Sequence, residues 1–157
     1  MNNTVNNTVN NTKRITISIS LEQVLKSVYA ESACLALMSD NGSRPPILSS
    51  DNRRLLSLFC RNAWMSLACE LAGSVDAKAF SIPDDDDSEL RLPLVVETDA
   101  TAATLRHYAE RYLAATTLAD CYAAREAHAA AFARQAASAL AALKLSLAAT
   151  GRRSCWV

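Results

Sequence analysis

Few residues in this chain are of the type and spacing that chemistry requires. There are two histidines, His107 and His128. His107-x-x-Glu110 would put an imidazole and a carboxylate on one face of a helix. A metal centre needs three or four such ligands with supporting hydrogen bonds, and no third one lies nearby in the sequence. Asp84, Asp85, Asp86 and Asp87 form an acidic run that a hard cation could use. The run lacks the twelve-residue calcium loop with its Gly and distal Glu, and reads first as a solvated turn. Five cysteines, Cys34, Cys60, Cys69, Cys121 and Cys155, form no C-x-x-C pair, and the number is odd. Four of them fall inside helical patterns, where a free thiol acts as a small apolar filler. No base is placed to activate a cysteine nucleophile. There is no Gly-rich phosphate loop and no G-x-S-x-G elbow. The residues therefore point to a non-catalytic protein with no catalytic residues, no metal and no cofactor.

Charge says more about partners. Sixteen basic and sixteen acidic residues cancel. Their distribution is uneven: residues 76–99 are acidic and residues 100–157 are basic. A zero balance argues against specific nucleic-acid binding, which calls for a basic face. An acidic region of one copy can instead face a basic region of another, so a homo-oligomer is expected. Tyr108 and Tyr112 stand at helical spacing, which reads first as core with the hydroxyl at the rim, and tyrosine is also frequent at interfaces. With Phe132, Leu140, Arg152, Arg153 and Trp156 they form the candidate interface set. No run of about 18 apolar residues occurs, so no membrane span is expected. The start Met1-Asn2-Asn3-Thr4 lacks the basic and apolar regions of a secretory signal. Free cysteines and the missing signal together imply a reducing, cytoplasmic setting.

These residues sit on elements that can be read directly. Residues 1–12 repeat Asn-Asn-Thr-Val without charge and bury too little surface to offset ordering entropy. They are expected to be a disordered tail. Residues 13–150 suit one helical domain, and residues 151–157 a C-terminal tail. Ile15, Ile17 and Ile19 alternate with Thr16, Ser18 and Ser20, the pattern of a half-buried strand. Ser20-x-x-Gln23 has the capping-box form. Leu21, Val24, Leu25, Val28, Ser32 and Leu35 then follow one helical face, and Asp40-Asn41-Gly42 ends it. A second helix starts near Ser50 or Asp51, with Leu55, Leu56, Phe59, Cys60, Ala63, Leu67 and Leu71 as its stripe. Phe80 and Ile82, then Leu90, Leu92 and Leu94, read as a hairpin within 78–96 closed by the acidic loop. Pro93 places its second strand at an edge. The strand at 15–19 could make the sheet three-stranded.

From Ala100 to Thr150 there is neither Gly nor Pro, and alanine, the best helix former, dominates. One unbroken helix would be ~76 Å long. A compact domain of this size is only ~38 Å across. The apolar phase changes between Thr116 and Glu126, so a break is expected there. The fold class is mainly α: about four helices with a small antiparallel β-hairpin or three-stranded sheet.

This order of features resembles the small head–tail connector (adaptor) proteins of tailed phages and prophages. The segments that carry the likeness are Leu21-Glu22-Gln23-Val24-Leu25, Asn52 to Leu71, Leu92-Pro93-Leu94, and Leu105 to Tyr122. The stretch Leu105-Arg106-His107-Tyr108-Ala109-Glu110-Arg111-Tyr112-Leu113 looks like the third helix of that family. The likeness covers residues 14–125 and is one of pattern. It implies a ring-forming virion protein between portal and tail proteins. The Asn-Thr tail and the long alanine-rich C-terminal segment depart from the family pattern. A cytosolic helical protein–protein interaction module is the alternative.

Overall fold

A computed structural model describes residues 12–40, 42–96 and 100–148. Six elements follow in order: β1 (Lys13–Ser20), α1 (Leu21–Met38), α2 (Arg53–Glu70), β2 (Glu89–Val96), α3 (Ala102–Cys121) and α4 (Glu126–Ala148). The mainly α class with a small antiparallel sheet stands. One buried cluster draws residues from all six elements.

The strand pairing differs from the sequence expectation. Residues 80–82 form no strand. β2 instead pairs antiparallel with β1, with Ile15 opposite Leu94, Ile17 opposite Leu92 and Ile19 opposite Leu90. All six of these side chains are buried. The physical reason is that two strands with matching alternation bury both apolar sets on one face. Val75 adds an isolated bridge to Leu94 on the far side of β2. There the Asp76 N–H donates to the Pro93 carbonyl (2.9 Å) and the Val95 N–H to the Ser74 carbonyl (2.7 Å). Pro93 has no N–H to return to Asp76, so this third edge stops at a bridge. The Asp76 carbonyl accepts from the N–H groups of Ala79 and Phe80 instead.

α1 starts where the capping residues place it. The Ser20 hydroxyl accepts from the Gln23 N–H at 3.3 Å. The helix ends at Met38, before Asp40-Asn41-Gly42, where the chain turns extended at Ser39, whose hydroxyl donates to the Leu35 carbonyl (2.7 Å). A 3-10 turn, Ser50–Asn52, leads into α2, and Ser49 and Asn52 cap it reciprocally. α2 buries Leu56, Cys60, Ala63, Trp64, Leu67 and Ala68. Leu55 belongs outside this stripe. It lies one residue, about 100° of helix, from Leu56 and is half-exposed. Trp64 takes the core position, stacked on Phe80 with centroids 5.2 Å apart.

The alanine-rich stretch breaks at Tyr122–Arg125, inside the expected interval. No Gly or Pro causes it. Tyr122 is buried and stacks on Phe132 of α4 at 5.9 Å. Its hydroxyl donates to the Pro46 carbonyl (2.9 Å). The Arg125 N–H closes the turn on the Tyr122 carbonyl (2.7 Å). α4 thereby folds back along α3.

α3 touches α1, α2, α4 and β1. It buries Leu105, Ala109, Tyr112, Leu113, Ala114, Ala115, Thr117 and Leu118, which lie around most of its circumference. The small residues among them let neighbouring helices come close.

Trp64 fills a large volume, and its indole N–H is buried with no hydrogen-bond partner among the described residues. Trp64→Ala is expected to cost about 3–5 kcal/mol in urea unfolding. Trp64→Phe removes the unpaired donor and should cost less than about 1.5 kcal/mol, since the lost ring volume is offset by the donor's desolvation.

Candidate interaction surface

The first turns of α2 and the acidic loop form one surface feature. Arg61, at the third turn of α2, points its guanidinium into the loop. It donates to the carbonyls of Asp84 and Asp85, each at 2.8 Å, and to that of Asp87. The Asp87 carboxylate accepts from the Asp84 N–H at 2.8 Å and closes the turn. One arginine thus gathers the backbone of a four-acid run and offsets part of its negative charge. These carbonyls are occupied by guanidinium N–H groups and are not presented to a cation.

Between the loop and α2 lies an open groove of about 1050 Å³. Leu55 and Leu58 lie along it, 50% and 53% exposed. Arg53 and Arg54 line it with positive charge, and Asp85 and Asp86 with negative charge. Arg53 is held in place by an ion pair with Glu22 of α1. An apolar strip between charges of both signs is suited to protein, since leucine supplies area and the charges fix register. Leu37 and Met38 at the end of α1, Ile47, Ile82 and Leu145 are further exposed apolar side chains.

The residues expected to form an interface are distributed differently. Tyr112 and Phe132 are 8% and 5% exposed and belong to the core of this chain. Tyr112 lies on a helix that neighbours cover on nearly every side, and Phe132 is covered by Tyr122. Of the two readings open to them, core and interface, the packing within this chain uses the core one. Tyr108 and Leu140 are half-buried and pack against the same cluster. Arg152, Arg153 and Trp156 lie outside the described residues, as do the tails 1–11 and 149–157. The sequence pattern puts Leu55 in the buried stripe and gives Leu58 and Arg61 no part in a surface, yet Leu55 and Leu58 are an i, i+3 pair displaced from the stripe of Leu56, Cys60, Ala63 and Leu67.

The candidates for chemistry are also placed. His107 is exposed and meets the Tyr108 ring edge-on at 5.6 Å. His128 meets the Tyr122 ring at 6.2 Å. Among the described residues no three His, Cys, Asp or Glu side chains gather in a metal-binding group. Cys60 is a buried filler as expected, whereas Cys34 and Cys69 are exposed and Cys121 is intermediate. Burial pushes the Cys60 thiol up to about 12 and the Cys121 thiol up to about 11. Burial also raises Tyr112 and Tyr122. No described helix is long and apolar enough to cross a membrane. No family model, curated protein or solved structure matches this chain.

Two outcomes follow from these placements. Arg61→Ala should leave the fold intact and speed proteolytic cleavage within 84–88, because three carbonyls lose their donor. The raised thiol pKa values link stability to pH. Above the ordinary thiol value of about 9 the unfolded chain loses protons that the folded chain keeps, so the folded state binds more protons. Stability, measured by denaturant titration in reducing buffer, should therefore fall as pH rises from about 9 toward about 12. Cys60→Ala should flatten that decline.

Proposed function

We propose that this chain is a non-catalytic assembly protein whose copies associate through the α2 groove. The observation that carries the reading is the pair Leu55 and Leu58, half-exposed between Arg53 and Arg54 on one side and Asp85 and Asp86 on the other. The occupant we assign is a segment of a second copy, from the basic C-terminal third. Asp85 and Asp86 of the groove belong to the acidic stretch 76–99, with two basic and eight acidic residues, and residues 100–157 carry seven and three, so basic residues of the second copy would pair with that rim while Arg53 and Arg54 would face its acidic ones. A groove on one part of the surface that takes a different part of the next copy is a heterologous contact. Such contacts close into rings when the rotation allows. Ring formation is also what the resemblance to head–tail connectors implies, with portal and tail proteins as the neighbours of the ring in a virion.

Light scattering behind size exclusion, at low and high salt, tests this. The expected result is a discrete oligomer well above the 16.9 kDa of one chain. High salt should shrink its population, because the exposed charges are screened. Burying the exposed half of each leucine is worth about 1 kcal/mol. Replacing both by aspartate (Leu55→Asp with Leu58→Asp) should then weaken association roughly thirtyfold. A single 17 kDa species at every concentration and salt overturns self-assembly.

A further inference from the structure

The two edges of the sheet are treated differently. On the β2 side, Ser74 to Asp76 takes the outward backbone groups of Pro93 and Val95. That fixes which way every residue in the ladder faces. Pro93 and Val95 point away from β1, so Leu90, Leu92 and Leu94 point toward it, and with them their partners Ile19, Ile17 and Ile15. The backbone N–H and C=O groups of Arg14, Thr16 and Ser18 must then point outward from β1. No backbone partner takes them among the described residues.

An open edge of this length is normally guarded by a charge, a proline or a bulge. The register of β1 with β2 is unbroken from Lys13 to Ser20. From Ile15 to Ser20 there is no charge and no proline. The charges of the strand stand at its first two positions, Lys13 and Arg14, and of these Arg14 lies on the face of Thr16 and Ser18. It is drawn across the sheet toward Asp76, with Nε 3.6 Å from the carboxylate. The edge is left with the sequence Ile-Thr-Ile-Ser-Ile-Ser.

That sequence is complementary to itself. We infer that β1 of one chain pairs antiparallel with β1 of a second copy about a two-fold axis at Thr16, joining two small sheets into one. In this register Thr16 faces Thr16 of the other copy, a favourable cross-strand pair. Arg14 faces Ser18, so no like charges are opposed. Ile15 faces Ile17, which continues the apolar face of the sheet through the axis. Arg14, Thr16 and Ser18 form three hydrogen-bonded pairs with two bonds each, so about six backbone bonds close the edge. The contact is isologous and uses no residue of the α2 groove. It supplies a two-fold pairing that a heterologous ring contact does not.

Residue-resolved hydrogen exchange of the full chain across a dilution series reads the edge directly. At low concentration the amides of Ile15, Ile17 and Ile19 should be protected, while those of Arg14, Thr16 and Ser18 exchange freely. At high concentration all six should be protected, with a slowing of at least tenfold at the second set. Thr16→Lys sets two ammonium groups opposite each other at the axis and alters only an exposed side chain. It should abolish the concentration-dependent protection and leave that of Ile15, Ile17 and Ile19 unchanged. The same series on the Leu55→Asp, Leu58→Asp variant should still show the pairing. An oligomer in which Arg14, Thr16 and Ser18 exchange freely overturns the strand contact and leaves the groove reading standing. Protection of those amides in a dilute monomer also overturns it, since the edge is then covered within the chain. A monomer at every concentration overturns both.

Discussion

The structure depends on α3 being buried against four neighbours at once. A helix in that position cannot carry a single apolar stripe. Its buried positions mix small residues, Ala109, Ala114 and Ala115, with large ones, Leu105, Leu113 and Leu118. The alanine content of the chain is therefore a packing device. α4 lies along α3 with two small buried residues, Ala136 and Ala139, between two bulky ones, Phe132 and Leu143.

Around this helix, single side chains fix the long connections. Tyr122 ends α3, stacks on α4 and bonds the Pro46 carbonyl, so one residue ties the helix break to the loop between α1 and α2. Ser32 on α1 accepts from the Leu48 N–H (3.0 Å) in the same loop. Arg61 does the same for the acidic loop, using carbonyls and leaving Asp85 and Asp86 on the rim of the groove. Each of these side chains supplies hydrogen bonds to backbone that has no regular secondary structure. Loops of this length would otherwise lose those bonds to water and keep their conformational freedom.

The surface that results has an apolar strip with charges of both signs and a strand edge whose backbone has no backbone partner among the described residues. Both features suit protein partners. The leucine strip offers area, and the edge offers directional hydrogen bonds and a register. They lie on different elements, so one contact can form without the other.

Local chemistry in the sequence determined the start of α1 at Ser20, the strand of Ile15, Ile17 and Ile19, and the mainly helical class. It also marked the interval in which the alanine-rich segment breaks. Each of these rests on neighbours within a few residues, where capping, alternation and helical phase act. Only the tertiary structure decided which strand β2 pairs with: β1 lies along it, and Phe80 stacks on Trp64 instead of extending a strand. It likewise put Tyr112 and Phe132 in the core of this chain and moved Leu55 from core to surface. Those outcomes turn on which helices lie on either side, and a shift of one residue, about 100° around a helix, is enough to exchange inside for outside.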